Sequence, residues 1–401
     1  MQRFSSSAAL IRQYKPSKPV LGLRPHAAAR AARWFIDKFP GDVAYAYKAN
    51  DSSLLLGALY GAGIRHFDVA SLEEVETCAA IPKATLHLMN PVKSRETIRR
   101  AYHEFGVRSF SLDTDAELRK ILEETGNARD LLLFVRLTAP SKHSRIPLEG
   151  KFGVSGHRAA ELLVATRQVA DEFGVTFHVG SQTIQPDAYT LALEAAGRLI
   201  VEAGVMVDRI DVGGGFPSRY TDSSPAPLSS FIAAIAQGFD RLTVGENCRL
   251  MCEPGRALVA EAESVIVRVD ARRGNELFIN DGAYGTLFDA AHAGIIFPAR
   301  LIGETRPGTD LEPFALWGPT CDSFDFMKGP FMLPSSVMEG DYIEIGMIGA
   351  YGRVLANQFN GFGRYEQVIL EDEPVMSLYG DGALETANTG NGETATQNRK
   401  A

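Results

Sequence analysis

Eight short apolar segments recur between residues 43 and 252, and their spacing constrains the fold more than any other feature of the chain. They are VAYAY, RHFDVA, TLHLMN, RSFSLD, LLLFVRL, VTFHVG, RIDVGGG and CRLMCEPG. Intervening stretches such as SLEEVETCAAI carry apolar residues at helical spacing, and several end in glycine, which commonly terminates helices. Strands that alternate with helices in this way predict a (β/α)8 barrel of the TIM type.

The pattern changes after about residue 262, where runs such as ESVIVRVDA and DYIEIGMIGAYG alternate with Gly, Pro and Asp turns. This change predicts a mainly β domain over residues 263–383, after a barrel over residues 26–262. The N-terminal segment 1–25 is a candidate for joining the β domain. Residues 384–401 are almost free of large apolar side chains, so we expect a disordered tail.

Composition excludes several classes of partner. The formal net charge of -8 provides no basic field for nucleic acid, and no apolar run is long enough to cross a bilayer. The four cysteines form no CxxC pair and lack the histidine spacing of a zinc site, so we expect reduced thiols and no metal. The N-terminus shows no export signal, which favours a cytoplasmic protein.

Polar and reactive residues follow the predicted strands. In a (β/α)8 barrel the carboxyl ends of the strands build the active-site face. The residues at those positions are Lys48, Asp68, Arg136, His178 with Ser181, Gly213 to Gly215, and Glu253 to Arg256. Strand ends often carry ordinary turn residues, but so many reactive groups on one face favour an active site.

Three of these segments suggest chemistry, each with a structural alternative. Lys48 in YAYKAN is either a solvated surface charge or, if desolvated, a nucleophile toward carbonyls. The glycines of DVGGGFP allow backbone N–H groups to approach a phosphate, or they form a tight turn. In EPGR, Glu253 and Arg256 form an ion pair, or they hold the ring nitrogen and the phosphate of a pyridoxal cofactor.

The segments YAYKAN, FHVGSQ, DVGGGFP, EPGR, GPTCDSFD and GAYG, in this order, resemble the fold-type III pyridoxal-phosphate decarboxylases of ornithine, lysine, arginine and diaminopimelate. The resemblance covers about residues 20–365, and GPTCDSFD is more similar to the ornithine/lysine branch. It implies the fold of alanine racemase and ornithine decarboxylase, with pyridoxal 5'-phosphate as the cofactor.

The resemblance also implies roles for single residues. Lys48 would hold the cofactor as a Schiff base, Glu253 would pair with the pyridine nitrogen, and His178 would stack on the ring. The remaining residues of the implied cofactor pocket are Asp68, Arg136, Ser181, Gly213, Gly214, Gly215, Gly255, Arg256 and Tyr351.

By the same resemblance, a head-to-tail homodimer would share its active sites. Cys321 of one subunit would protonate the carbanion left by loss of carbon dioxide, and Asp322 would receive the distal ammonium of the substrate. Asp325 would meet Lys151 of the partner subunit. The alternative for Cys321 is a buried small apolar residue.

One departure from the family concerns the substrate. Aligning Tyr284-Gly285 with the family motif places Ala293 where ornithine decarboxylases have a second acidic residue for the distal amine. Asp289, one helical turn earlier, is a candidate replacement. The predicted substrate-binding residues are therefore Asp322, Asp289 and Tyr284.

These observations predict a lyase of polyamine biosynthesis that decarboxylates L-ornithine and/or L-lysine. Decarboxylation of diaminopimelate, arginine or a modified diamino acid stays open, as does amino-acid racemisation on the same scaffold. A non-catalytic regulator that resembles such a decarboxylase is the third alternative, against which Lys48, Glu253 and Cys321 together argue.

Overall fold

The structure is a computed structural model that describes residues 1–303 and 310–379. The first part of the chain forms β1 Gln2–Phe4, α1 Ser7–Gln13, β2 Val20–Leu23, α2 Pro25–Lys38, β3 Gly41–Ala46, α3 Ser53–Ala62, β4 His66–Val69, α4 Leu72–Ala79, β5 Thr85–Leu88, α5 Arg95–His103, β6 Ser109–Leu112, α6 Asp115–Glu124, β7 Leu132–Arg136, β8 Ser144–Ile146, α7 Gly156–Arg167, β9 Glu172–Thr176, β10 Ser181–Thr183, α8 Asp187–Ala203, β11 Arg209–Asp211, α9 Leu228–Phe239, β12 Arg249–Cys252 and α10 Arg256–Val259. The second part forms β13 Glu263–Arg273, β14 Glu276–Ile279, α11 Phe288–His292, β15 Ala299–Ile302, β16 Leu311–Trp317, β17 Phe326–Pro334, β18 Tyr342–Ile345 and β19 Glu366–Leu370. The predicted tail, residues 384–401, lies outside the described residues.

Eight parallel strands close into a barrel in the order β3, β4, β5, β6, β7, β9, β11 and β12. The barrel closes where β12 pairs with β3, with Cys252 opposite Val43. The predicted (β/α)8 fold is therefore confirmed, and each of the eight apolar segments overlaps one barrel strand. In VTFHVG the strand ends at Thr176, so His178 lies in the loop that follows.

Local sequence signals explain where the barrel helices begin and end. Helices α4, α5 and α6 follow Ser71, Ser94 and Thr114, whose hydroxyl groups accept hydrogen bonds from backbone N–H groups in the first turn. Helices α3 and α8 end at Gly63 and Gly204, which have left-handed backbone conformations that cost glycine little. Short, well-capped helices can therefore return the chain to the start of each next strand.

A small apolar layer fills the inside of the barrel. Ala44, Met89, Phe134 and Met251 form this cluster, and each is almost completely buried. The Phe134 ring needs the space beside Gly174, because a Cβ atom there would lie 2.5 Å from the ring. The barrel is therefore packed with side chains, and its chemistry is displaced to the ends of the strands.

The second unit is a nine-stranded sheet that includes strands from both ends of the chain. Its long strand β13 pairs with β18 and, at its beginning, with β2. Strand β1 pairs with β19, so residues near the N-terminus contribute to this sheet. No helix in residues 1–303 and 310–379 is long and apolar enough to span a membrane.

Hydrogen bonds connect the β sheet to the barrel next to Lys48. The Asn50 Nδ2 group donates to Glu263 Oε2 of β13 and to the Gly349 carbonyl, both at 2.7 Å. The Tyr351 backbone N–H donates to the Ala49 carbonyl at 2.9 Å, and Tyr351 has a φ of 60°. A tyrosine in this left-handed conformation is uncommon, and its ties to Ala49 bring it to the carboxyl face of the barrel.

Candidate active site

A cavity of about 640 Å³ opens at the carboxyl ends of the barrel strands. Ten residues predicted from the sequence line it: Lys48, Asp68, Arg136, Lys151, His178, Ser181, Glu253, Arg256, Asp289 and Tyr351. A narrow extension of the same region is lined by Gly214, Gly215 and Gly255. The structure therefore brings together most of the predicted residues of the first half of the site.

Lys48 forms an ion pair at the end of β3. Its Nζ atom lies 2.6 Å from Asp68 Oδ2, and Asp68 is almost completely buried. Burial lowers the pKa of Lys48, but the charges of Asp68 and Glu253 outweigh this and raise the pKa overall. Without a ligand, the amine is therefore held in its charged form at a fixed position in the cavity.

Glu253 and Asp211 form a buried carboxyl pair below the cavity. Asp211 accepts hydrogen bonds from Thr176 Oγ1 at 2.7 Å and from the Gly213 N–H at 2.9 Å. Burial and the neighbouring carboxylates raise the pKa of Glu253 well above its usual value. Its Oε1 atom is buried and has no hydrogen-bond partner among the described residues, so Glu253 presents an unmatched polar oxygen to a ligand.

His178 is a neutral imidazole at this face. Its Nδ1 atom accepts a hydrogen bond of 3.1 Å from the Gly180 N–H. Burial and the charges of Arg136 and Lys48 lower the pKa of His178 well below its usual value. An uncharged ring in this position can stack on a flat ligand without the cost of desolvating a cation.

The three glycines of DVGGGFP form a cradle without side chains. Gly213 and Gly215 have φ angles of 67° and 104°, in the left-handed region. At Gly214 a Cβ atom would lie 2.7 Å from the Glu253 carbonyl oxygen and 3.1 Å from His178 Nε2. Any side chain at Gly214 would therefore displace Glu253 or His178, two of the residues expected to contact the cofactor.

Arg256 begins helix α10 and is buried. It donates to the Tyr220 hydroxyl at 2.8 Å and pairs with Asp289 Oδ2 at 2.8 Å. Its Nε–H is buried and has no hydrogen-bond partner within residues 1–303 and 310–379, and its second terminal nitrogen lies 3.5 Å from Ser181 Oγ. Because guanidinium groups bind phosphate through several donors, this arrangement fits a phosphate beside the glycine cradle.

Asp289 already forms an ion pair with Arg256. The sequence suggested it as a substitute for the acidic residue missing at Ala293, but the ion pair with Arg256 neutralises its charge. The backbone at Ala293 is also engaged, since its carbonyl accepts a hydrogen bond of 3.2 Å from Arg145 Nε. A distal ammonium would find little free negative charge at either position.

Cys321 and Asp322 lie in a second cluster, outside the residues that line the cavity. Asp322 accepts a hydrogen bond from the Tyr284 hydroxyl at 2.5 Å, and the exposed Cys321 thiol donates to Asn360 Oδ1 at 3.3 Å. Exposure excludes the alternative that Cys321 is a buried apolar residue. In the described part of the chain, only Tyr351 and Leu355 reach the cavity from beyond β15.

Lys151 and Asp325, the predicted interface pair, differ in their burial and contacts. Lys151 lines the cavity, with its Nζ atom 5.0 Å from the Phe152 ring. Asp325 is buried at 1% exposure and accepts hydrogen bonds from Ala283 and Thr320 of its own chain. A contact between Asp325 and a partner's lysine would therefore require this carboxylate to exchange or share those bonds.

Sequence reasoning assigned no role to Asp211, Tyr220 or Asn50. Asp211 immediately precedes the glycine motif, and Asn50 belongs to YAYKAN, so both motifs carried a positional signal. Tyr220 had no such signal, because its contact with Arg256 joins residues 36 apart in the chain.

The site therefore fits a flat ligand with a phosphate and a basic ring nitrogen. The phosphate would meet Arg256, Ser181 and the glycine cradle, the ring nitrogen would meet Glu253, and a carbonyl would meet Lys48. Among the described residues, Glu253 Oε1 and Arg256 Nε are two of the buried polar atoms without a hydrogen-bond partner, and such a ligand would satisfy both.

Comparison with known proteins identifies the family. The model for the pyridoxal-binding domain of pyridoxal-dependent decarboxylases matches residues 26–260. The chain belongs to the pyridoxal-dependent decarboxylases. The family predicted from the six motifs is thus confirmed, and so is its cofactor, pyridoxal phosphate.

Individual relatives support the ornithine/lysine branch of this decarboxylase family. A lysine/ornithine decarboxylase of Selenomonas ruminantium is 31% identical over 342 residues, covering 83% of this chain and 84% of that protein. A lysine/ornithine decarboxylase structure from Vibrio vulnificus, complexed with putrescine, superposes with a TM-score of 0.77 at 28% identity, covering 91% and 97% of the two chains. One relative is not named as a decarboxylase: an antizyme inhibitor of Xenopus laevis is 32% identical over 348 residues, covering 79% of this chain and 73% of that protein.

Proposed function

We propose that this decarboxylase acts on L-ornithine and/or L-lysine, with putrescine or cadaverine as the product. The observation that carries the proposal is the cavity in which Lys48, Glu253 and Arg256 converge, in a chain whose relatives include lysine/ornithine decarboxylases. Release of a diamine would place the enzyme in polyamine biosynthesis.

The residues of the barrel would hold the cofactor at three points. Lys48 supplies the amine for a covalent Schiff base, and Asp68 orients that amine. Arg256, Ser181 and the glycine cradle would bind the phosphate, and the guanidinium carbon of Arg256 lies 5.0 Å from the centre of the Tyr351 ring. His178 would stack on one face of the ring and help to orient the cofactor toward Lys48.

Glu253 controls the proton at the ring nitrogen. Burial and the neighbouring carboxylates raise its pKa and so favour its protonated form, and a basic ring nitrogen in contact with it would take that proton. When bound, pyridoxal phosphate supplies an electron sink for the bond that breaks on loss of carbon dioxide. Asp211 would hold the proton on Glu253 before the ring nitrogen is bound, because its carboxylate disfavours a second negative charge there, and the positive charge gained by the ring would offset that repulsion.

The second half of the site would come from another copy of the chain. Cys321 and Asp322 do not line the cavity of their own subunit, in the part of the chain that the structure describes. In a head-to-tail homodimer, the Cys321 thiol would deliver a proton to Cα and Asp322 would accept the distal ammonium. Lys151, at the cavity wall, would then lie near the β domain of the partner.

The rival functions differ in measurable ways. A racemase would release no carbon dioxide from the same amino acids. A regulator, which the likeness to an antizyme inhibitor makes a concrete alternative, would neither bind the cofactor covalently nor turn over substrate. Lys48, Glu253 and Cys321 are all present, and a regulator has no use for this set of groups.

A panel of amino acids tests the proposal most directly. Ornithine, lysine, arginine and diaminopimelate should be incubated with the holoenzyme, and the products identified by mass. Putrescine or cadaverine is the expected product, and agmatine or lysine as the main product would reject the ornithine/lysine assignment. Borohydride reduction followed by peptide mapping should place the pyridoxyl group on Lys48, and the Lys48→Ala variant should have no turnover.

A further inference from the structure

One carboxylate of the cavity has no role in the proposed chemistry. The acidic residues that line the cavity are Asp68, Glu149, Glu253 and Asp289. Asp68 pairs with a lysine, Asp289 with an arginine, and Glu253 is buried beneath the cofactor position. Glu149 is exposed, and no cation of the described residues forms an ion pair with it.

Glu149 is fixed by neutral groups at the cavity wall. Its Oε1 atom accepts hydrogen bonds from the Ser141 backbone N–H and from the Ser141 hydroxyl, both at 2.7 Å. These backbone and side-chain hydrogen bonds lower the pKa of Glu149, so the carboxylate stays ionised at neutral pH. Because both bonds end on Oε1, the Oε2 atom keeps its capacity to accept from a cation.

The loop that carries Glu149 is anchored at both ends. Before the loop, Ile146 of β8 pairs with Ser181 of β10, which places β8 beside the phosphate region. After the loop, Val154 exchanges backbone hydrogen bonds of 3.0 Å with Arg136 and Thr138. The segment between these anchors therefore forms a defined part of the cavity wall.

The same wall offers apolar surface next to the carboxylate. Ile146 at the end of β8 is followed by Pro147 and Leu148 just before Glu149, and Met89 lines the cavity immediately after β5. A chain of methylene groups ending in a cation needs this combination, since the methylenes prefer apolar contacts and the cation needs an anion. Neutral or acidic amino acids would gain nothing from Glu149.

We propose, on the basis of the proposed function, that Glu149 binds the distal cationic group of the substrate and sets the preference for basic amino acids. It takes the place of the second acidic residue that is missing at Ala293. The structure supports this replacement over Asp289, whose charge is matched by Arg256 at 2.8 Å. At Ala293 itself there is no carboxylate, and its carbonyl already accepts a hydrogen bond from Arg145.

The Glu149→Gln variant tests the assignment, because it keeps the shape of the side chain and removes its charge. For the preferred basic substrate, kcat/KM should fall about 10- to 100-fold, mainly through KM, as expected for loss of a hydrogen bond to a charged group. Binding of cadaverine and putrescine to the holoenzyme, measured by calorimetry, should weaken by a similar factor. Binding of norleucine, which lacks the terminal ammonium, should not change.

Two further variants serve as controls. Glu202→Gln alters an exposed carboxylate on α8 that does not line the cavity, and it should leave all these constants unchanged. Ser141→Ala removes one of the two hydrogen bonds that fix Glu149 and should have a smaller effect in the same direction. Cofactor content, measured by visible absorption, should be equal in all four proteins.

The outcomes separate this inference from the function on which it rests. If the unaltered enzyme turns over no basic amino acid, the proposed function fails. If it is active on ornithine or lysine, but Glu149→Gln matches it in KM and in diamine affinity, the role of Glu149 is rejected and the function stands. Equal loss of norleucine and diamine binding would also reject it, since that result indicates a general change of the cavity.

Discussion

At the scale of single residues, the buried Asp211–Glu253 pair determines how the site handles a proton. Two carboxyl groups in contact cannot both ionise easily where water is excluded, and burial raises the pKa of both. Asp211 receives two hydrogen bonds that stabilise its negative charge, whereas Glu253 Oε1 receives none. These hydrogen bonds therefore favour the proton on Glu253 over Asp211, and a basic ring nitrogen in contact with Glu253 would take it.

Because Glu253 is expected to supply this proton, Glu253→Gln should have different effects on rate and on cofactor binding. The amide cannot transfer a proton to the ring nitrogen, so kcat should fall by about 100-fold or more. Cofactor content per chain should fall much less, because Arg256 and the glycine cradle hold the phosphate. A variant with near-normal kcat would show that Glu253 does not face the ring nitrogen.

A second prediction concerns the glycine cradle. In Gly214→Ala the new Cβ would lie 2.7 Å from the Glu253 carbonyl oxygen, so backbone must move. Such crowding costs about 1 to 3 kcal/mol, and cofactor affinity should fall by about tenfold or more. Gly57→Ala on α3 is the matched control, because its Cβ would meet no atom within 4 Å. Equal cofactor affinity in both variants would contradict the cradle assignment.

Motifs identified the chemical groups of the site, but not the contacts among distant residues. Lys48, Glu253 and Arg256 could be predicted because each belongs to a recognisable short segment. The partner of Glu253 is Asp211 and a partner of Arg256 is Tyr220, and each pair is brought together only by adjacent barrel strands and their loops. Such proximity depends on the closure of the barrel, which no local pattern contains.

At the scale of elements, the apolar runs predicted the barrel because its strands are buried on both faces. The boundaries were less accurate where strands contain other residues: β9 begins at Glu172 and includes Gly174, so the apolar run VTFHVG overlaps only its end. The strands β8 and β10 were not predicted at all, because SRI and SQT lack an apolar pattern. The pairing of β8 with β10 nevertheless anchors the loop that carries Glu149 at the cavity.

A third prediction concerns how the stability of the protein depends on pH. It involves Glu263 of β13, which accepts a hydrogen bond from Asn50. Burial raises the pKa of Glu263 to about 7, although the hydrogen bond from Asn50 opposes this. A carboxyl group with a raised pKa binds more protons in the folded state, so the free energy of unfolding falls as pH rises from about 4.3 to about 7. The full effect is on the order of 3 kcal/mol.

Glu263→Gln cannot lose a proton and should remove this part of the pH dependence. The thermal unfolding midpoint should therefore fall less between pH 5 and pH 8 in Glu263→Gln than in the unaltered protein, at equal protein concentration. Glu276→Gln, at an exposed position of β14, should retain the full decrease. Parallel pH profiles for Glu263→Gln and the unaltered protein would show that Glu263 is already ionised when folded.

At the scale of the whole molecule, one chain contains both halves of the proposed site but does not join them. Lys48 lies in the cavity of the barrel, while Cys321 and Asp322 lie in a separate cluster next to Tyr284 and Asn360. A single sequence carries the residues of both halves, yet nothing in its pattern determines which copy of the chain supplies each one. Only the resemblance to the family suggested that two copies share a site.

Complementation between two inactive variants tests this sharing. Lys48→Ala and Cys321→Ala homodimers should each be severely impaired, because every site contains one lesion. After subunit exchange, one of the two sites of each heterodimer combines an intact Lys48 with an intact Cys321. Random exchange at equal input makes roughly half of the dimers heterodimers, so activity should recover to roughly a quarter of that of the unaltered enzyme. If one chain supplied both groups, mixing would recover nothing. Native mass spectrometry must verify the exchange, since recovery is meaningful only where heterodimers have formed.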